Sequence, residues 1–406
     1  MNINSGLRVG LLALTLAACT EERATPDGGL ADAGTPDANV DSGPPALCAP
    51  PDDCTLFTEV ESFVGHVCAR RRSGEVWCWG MNTSGEVGDG TTSNIRNHAV
   101  RADVEPVSDL TLGQMNTCGV TPAGRVLCWG MNLGNAIGLG SLTDSSLVPR
   151  PLAGIVGAVQ ASLGRDHGCA VQGDGVVVCW GTNTKGDVSP TNLDQDLDPT
   201  PVPGITDAVE VIASRTATCV RHTAGTVSCW GGGLLGDGTT AESTTPVAVS
   251  GLSDAIALAR GDEHYCALRA GGTIVCWGSN TLGQLGNGSL VAANAPIEVV
   301  GITDAVAIAA GSAHTCAINS AGIVYCWGHN REGTLGDGTT VDRPTAAPVL
   351  GLHATAVAIA AGAGVSCAAL SNATIYCWGS NFAGALGDGT PSGLDAMSAV
   401  PVQVLF

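Results

Sequence analysis

The sequence predicts an all-β protein, a seven-bladed propeller of four-stranded blades, and three observations predict it. The tripeptide Cys-Trp-Gly occurs seven times, at Trp79, Trp129, Trp180, Trp230, Trp277, Trp327 and Trp378, each with a second Cys ten residues upstream of the first. Successive copies stand 47 to 51 residues apart, a period that signals a repeat architecture. Each unit holds four short apolar, β-branched runs separated by Gly, Asp or Asn turns, and four strands make one propeller blade.

In chain order, residues 1–18 read as an export signal. Arg8 precedes the apolar run VGLLALTLAA, which at about a dozen residues is shorter than the roughly 20 a membrane-spanning helix needs. LAAC, Leu16 to Cys19, resembles the bacterial lipobox, so Cys19 is the expected lipidated residue. Residues 19–47 are rich in Asp, Ala, Gly and Pro and have almost nothing to bury. They are expected to form a disordered tether with a reach of roughly 30 Å. The propeller then occupies 48–406.

Seventeen Cys in an exported chain read first as disulfides. With Cys19 set aside, Cys48 and Cys54 bracket the end of the tether. The rest form Cys68/Cys78, Cys118/Cys128, Cys169/Cys179, Cys219/Cys229, Cys266/Cys276, Cys316/Cys326 and Cys367/Cys377. If the segment from Asn319 to Ile323 folds back, Cys316 and Cys326 face each other across an antiparallel pair. Structural zinc would need closely spaced pairs that converge, which nine intervening residues do not provide.

Strand patterning agrees. In GIVYCWG, Val324 and Cys326 point to one face and Tyr325 and Trp327 to the other. Both faces are apolar, as in a blade buried between neighbours, and each Trp becomes a wedge between blades. Gly interrupts every run, which excludes a helical solenoid. Full units begin with a Pro-led strand such as PIEVVG at Pro296; the first unit lacks one, and the chain ends on an unaccompanied PVQVLF. The expectation is therefore a ring closed by a C-terminal strand joining the N-terminal blade. Val400 to Leu405 would form the outer strand beside Trp79, with Cys48–Cys54 pinning the seam.

The unit GxxHTCAL…GxVYCWGxNxxGQLGDGT, clearest at Gly278–Ser289 and Trp327–Thr340, resembles the repeat of the regulator of chromosome condensation family from about Cys54 to Phe406. The resemblance implies a seven-bladed propeller and a habit of binding proteins. Its paired Cys depart from the nuclear members and match exported bacterial ones, so the nuclear role in nucleotide exchange does not carry over. It further implies inter-blade hydrogen bonds from His66, His167, His264 and His314, which stand two residues before the first Cys. Asn116, Ala217 and Val365 occupy that place in the other blades.

The formal net charge is −20 and the only Lys is Lys185. Such a surface excludes nucleic acid and disfavours anionic lipid headgroups. No sialidase-type box occurs, and the only Tyr residues, Tyr265, Tyr325 and Tyr376, occupy strand positions beside Cys. Asp89, Asp237, Asp337 and Asp388, with Asn287 as a variant, read as Asp-Gly turns rather than calcium ligands. Between Thr184 and Pro203 the turn motif is missing, and Asp194, Asp196 and Asp198 alternate like the opening of a calcium loop. Pro199 and Ile205 stand where an EF-hand requires Gly and Glu. This segment, the span from Gly138 to Pro151 and the exposed aromatic Phe382 are the candidate partner contacts. No metal, cofactor or catalysis is expected. The leading reading is a monomeric, lipid-anchored binding or scaffold protein of the bacterial cell envelope, at the outer membrane or cell surface, recognising a protein or glycan. The alternatives are an enzyme inhibitor, which the resemblance to one exported β-lactamase inhibitor implies, and a propeller hydrolase or lyase.

Overall fold

Each Cys-to-Cys segment folds as an antiparallel hairpin because its small and β-branched residues alternate up to a turn that only certain residues tolerate. In the sixth unit Thr315 pairs with Trp327, Cys316 with Cys326 and Ile318 with Val324. Asn319 closes the turn, exchanging bonds with Ile323, and Gly322 takes the left-handed φ of +75°. The computed structural model describes residues 53–140, 145–193 and 196–406. The expectations for the export signal, the tether, Cys19 and the Cys48–Cys54 pair fall outside them.

Each hairpin gains one strand on either side, giving seven four-stranded antiparallel sheets. Blade one consists of Phe57–Ser62, His66–Arg71, Val76–Met81 and Ile95–Arg101. The inner strands of the other blades are Asp109–Leu112, Ala158–Leu163, Ala208–Ala213, Ala255–Arg260, Ala305–Ala310 and Ala356–Ala361. These strands surround the central channel, and the outer strands form the exposed rim. Turns from inner to second strand and loops from third to outer strand open on one face, here the upper face. The hairpin turns and the connections between blades open on the lower face.

The core lies between blades rather than within them. All seven Cys-Trp-Gly tryptophans are buried, each removing roughly 150–250 Å² of ring surface from water. Trp327 packs on Leu268, Ile274 and Leu285 of the preceding blade and donates its indole N–H to the Gln284 carbonyl at 3.0 Å. Gly286 must be Gly there: a Cβ would stand 2.6 Å from Trp327 Nε1, and its φ is +69°.

Each of the seven hairpins carries its own disulfide, and the pairs are those the spacing predicts. Blades one to four are stapled by Cys68–Cys78, Cys118–Cys128, Cys169–Cys179 and Cys219–Cys229. Blades five to seven are stapled by Cys266–Cys276, Cys316–Cys326 and Cys367–Cys377. In every pair the Cα atoms stand 4.0–4.1 Å apart. That is the close approach of directly opposed antiparallel residues. Cys78, Cys128, Cys179, Cys229 and Cys276 each sit on the third strand of their blade, directly opposite their partner on the second.

The ring closes differently from the sequence expectation. Met397–Gln403 is the outer strand of blade seven, where Val402 pairs with Cys377 and Gln403 with Tyr376. The Pro-led strand therefore ends a blade and does not begin one; Ala293–Glu298, which contains Pro296, likewise pairs with the third strand of blade five. Blade one builds its inner strand from Phe57–Ser62 and needs none from the C-terminus. Beyond that strand, Leu405 and Phe406 reach blade one. The Leu405 carbonyl accepts from the Ala99 N–H at 2.8 Å, and the Phe406 ring stacks on Phe57 at 4.9 Å and meets Trp77 and Trp79 edge-on.

Candidate functional site

Four His side chains are committed to the ring. Nε2 of His66, His167, His264 and His314 lies 3.1, 3.0, 2.9 and 2.8 Å from the hydroxyl of Thr117, Thr218, Thr315 and Ser366 respectively, each in the next blade. Those hydroxyls in turn donate to the carbonyls of Glu86, Asp187, Gln284 and Thr334. Burial holds the rings neutral: it lowers His66 and His264 to about 4 and His314 to about 3. His167 is lowered too, burial outweighing the Asp187 carboxylate 3.6 Å away.

The inner strands are stitched together by side chains. Asp109 Oδ2 accepts from the Ala161 N–H at 2.9 Å and Thr111 Oγ1 from the Leu163 N–H at 3.1 Å. Gln160 and Ser162 serve Val211 and Ala213 in the same way, and Glu210 serves Leu258. In blades five to seven the equivalent positions are Ala257, Ala259, Ala307, Ala309, Ala358 and Ala360, so half of the wall is apolar. Arg260 crosses the upper mouth, donating to the carbonyls of Leu112 and Leu163 and lying over the Phe63 ring. The void is about 150 Å³, below the roughly 300 Å³ at which small-molecule sites begin.

The acidic motifs are likewise structural. Asp89 Oδ1 accepts from the Thr91 N–H and hydroxyl, while Arg96 bonds its second oxygen. Asp337 is held in the same way by Thr339 and Arg343. Burial would raise both carboxyls, but these hydrogen bonds bring them below the ordinary range. At Asn287 an amide oxygen does the same for Ser289, so the turn needs an acceptor rather than a charge. Asp196 and Asp198 are not in a loop. They lie on the outer strand Asp196–Pro201 of blade three, where a period of two puts them on one face. Thr182 donates to Asp196 at 2.6 Å and Asn135 to Asp198 at 3.3 Å. Asp194 lies outside the described residues, and Ser145–Pro151 is the outer strand of blade two. Among the described residues no three His, Cys, Asp or Glu side chains gather to hold a metal.

Phe382 begins the 3-10 turn Phe382–Gly384 in the upper-face loop of blade seven and is 42% exposed. Its ring and the end of Met81 both lie over Gly65, where a Cβ would meet Met81 Cε at 2.6 Å and Phe382 Cδ1 at 3.8 Å. Exposed Ile95 packs on Gly384, and Leu133, 61% exposed, holds the place of Phe382 in blade two. With half-buried Met81, which pairs with Ile95, Phe382 makes an apolar patch at the seam of blades seven and one, while Met131 and Leu133 are apolar positions of blade two. The loop that carries Leu133 adjoins blade three, where Asn135 donates to the Leu197 carbonyl and to Asp198. The two Met residues were legible but missed: Thr182, Gly232, Ser279, His329 and Ser380 follow Cys-Trp-Gly elsewhere.

Comparisons with known proteins agree with this architecture. The chain matches the regulator of chromosome condensation (RCC1) repeat over 123–171, 272–318 and 321–369. A second form of that repeat matches over 64–86, 255–284, 305–334 and 356–385. No curated protein sequence matches it. Human WBSCR16 is similar in structure, with 19% identity, a TM-score of 0.73, and 82% of this chain and 94% of that chain covered. Yeast RCC1 (Prp20) bound to Kap60 is 20% identical with a TM-score of 0.70, covering 91% of each chain. Prp20p from Saccharomyces cerevisiae, described with its binding to Gsp1p and histones, gives 20%, 0.71, and 88% and 90% coverage. At such identities the likeness shows the fold.

Proposed function

Since the chain belongs to the regulator of chromosome condensation repeat family, typically protein-binding or regulatory scaffolds, we propose that it is a non-enzymatic binding protein whose upper face grips a partner. The observation that carries this reading is the apolar patch of Phe382, Met81 and Ile95 at the seam of blades seven and one. An aromatic anchor beside flexible, polarizable Met is the composition of an adaptable contact surface. The titratable groups favour binding over catalysis. The His rings are neutral and engaged, and burial pushes the Tyr265 hydroxyl up to about 12 while Ser214 bonds it at 2.7 Å.

Export belongs to the same proposal. Residues 1–18 are removed, Cys19 carries the lipid, residues 19–47 form the tether and 48–406 the propeller, displayed as a monomer on a bacterial envelope. One disulfide per hairpin suits an oxidising compartment. Cys19→Ala should move the protein from the membrane to the soluble fraction; retention in the membrane overturns the anchor. Crosslinking on intact cells should capture a protein or glycan, and Phe382→Glu should abolish that capture. Unchanged capture overturns the face assignment. A second reading, inhibition of an enzyme, is favoured by Phe382 as an exposed anchor; the captured partner would then lose activity on equimolar addition.

A further inference from the structure

Blades four and five depart from the repeat at three places that meet in space. The upper-face loop of blade four runs six residues from Trp230 to Gly236, whereas the corresponding stretch from Trp277 to Gly286 runs nine. Aligning Gly233 with Gly283 shows that the counterparts of Asn280, Thr281 and Leu282 are missing. In blade five Asn280 holds the loop together, accepting from the Leu285 N–H at 3.0 Å and donating to the Ser289 carbonyl. Ala217 stands where a His would, and Tyr265 stands where the next blade would present Thr or Ser. The Tyr265 ring is buried and stacks on Trp277 at 5.8 Å.

Two consequences follow. Six Cys-Trp-Gly indoles donate to a loop carbonyl of the preceding blade, but Trp277 Nε1 is buried with no acceptor. It points at the shortened loop, since a Cβ on Gly236 would stand 2.8 Å from it. Beside that loop opens a cavity of about 370 Å³, whose lining includes Thr216, Gly233, Asp262, Glu263, Tyr265 and Ser279. This lies within the range of ligand sites.

The lining dictates the ligand. Asp262-Glu263 is the only pair of consecutive carboxylates among the seven turns from inner to second strand; Gln114-Met115, Arg165-Asp166, Arg215-Thr216 and Ser312-Ala313 stand at neighbouring turns. Neither carboxylate makes an ion pair among the described residues. Lys185, which borders Gly232, is bonded to Glu242 at 3.1 Å, and Arg260 turns into the channel mouth. Exposed Arg215 pairs with neither acid. Two acceptor-only carboxylates beside the hydroxyls of Thr216 and Ser279 call for a donor-rich cation, and a guanidinium fork meets two carboxylates better than a point charge.

We propose that this notch is a subsite for an arginine side chain of a partner protein seated on the upper face. The subsite rests on the reading of that face as the partner surface. Ligand-observed NMR with L-argininamide and the full chain tests it without any partner. Saturable binding of one equivalent is expected, weakened at least tenfold by Asp262→Asn with Glu263→Gln. Insertion of Asn-Thr-Leu after Gly232, which restores the nine-residue loop, should abolish it while leaving the fold intact. Asp174→Asn, on the lower face, should change nothing. Absence of saturable binding overturns the subsite, as does binding that survives the double variant or falls equally with Asp174→Asn. If argininamide fails to bind while Phe382→Glu still abolishes capture, the subsite falls and the face stands. If argininamide binds while capture ignores Phe382, the face falls and with it the assignment to a partner's arginine.

Discussion

His264 Nε2 lies 2.9 Å from Thr315 Oγ1, across a blade boundary, and this pairing is a rule of the ring. Wherever a His stands two residues before the first Cys, the next blade has Thr or Ser immediately before its own: Thr117, Thr218, Thr315 and Ser366. Where the His is absent the Thr or Ser is absent too, and Asn116 is matched with Gly168, Ala217 with Tyr265, and Val365 with Val67. The correlation has a physical cause. A buried imidazole without its partner, or a buried hydroxyl without the imidazole, leaves a polar atom unsatisfied at a cost of about 1–3 kcal/mol.

Stability should fall on mild acidification. The folded His pKa values lie below the ordinary value of 6.5, reaching about 4 for His66 and His264 and about 3 for His314. Between these values and 6.5 the unfolded chain binds protons that the folded chain refuses. The contribution is complete above about pH 6.5 and is lost as pH falls, by about 1.4 kcal/mol per pH unit for each His. Buried Glu86 and Asp187, whose carboxyls are raised by burial, oppose the trend at its lower end. Denaturant unfolding between about pH 7.5 and 4.5 checks this, and His314→Leu with Ser366→Ala should reduce the slope by roughly a quarter. A flat profile would contradict the neutral His assignment.

The apolar half of the channel wall should accept a stitch. Ala309 occupies in blade six the position at which Thr111 and Ser162 cap the following strand. Ala309→Ser should offer an acceptor to the Ala361 N–H and raise stability by about 0.5–1.5 kcal/mol. Ser162→Ala should lower it by about 1–3 kcal/mol, by orphaning the Ala213 N–H. Thermal melting of both variants decides the matter, and opposite signs are required.

Phe406 should hold the seam between the last blade and the first. Its ring meets Phe57, Trp77 and Trp79 yet remains half exposed, so Phe406→Ala should cost about 1–2 kcal/mol. Deletion after Ser398 should cost far more, because it also strips most of the outer strand from blade seven. Equal melting of the point variant and the deletion would sink the distinction.

Mass mapping of the unreduced protein should find each of Cys68 to Cys377 linked within its own hairpin, for example Cys316 with Cys326. Replacing one such pair by Ala should cost about 2–3 kcal/mol, since each bond closes a short loop. Any bridge joining two blades, such as Cys78 to Cys128, would refute the arrangement.

The blades were legible because their cohesion is local and repeated: a Cys, its partner and a Trp recur at fixed spacing, and each copy independently requires the same hairpin. Strand ownership was not, since Pro296 or Pro401 alternates identically whether its strand ends one blade or opens the next. Asp196 and Asp198 misled for a similar reason, because alternate acids serve an exposed strand as well as a cation loop. Met81 and Met131 went unread because a lone apolar residue after Cys-Trp-Gly suits a core and a surface alike. The notch left a trace in the short 47-residue step from Trp230 to Trp277, but a length change alone does not say whether the gap is filled.

Each of the seven disulfides spans ten residues and none joins one blade to another. Covalently, the propeller is a string of seven knotted beads, and only non-covalent contact makes it a circle. Tension applied along the chain would open the seam beside Phe406 first and then shed beads singly. Every bead would leave with its hairpin intact, so force would be dissipated in steps, and each released bead would keep the geometry needed to dock again when the load is removed.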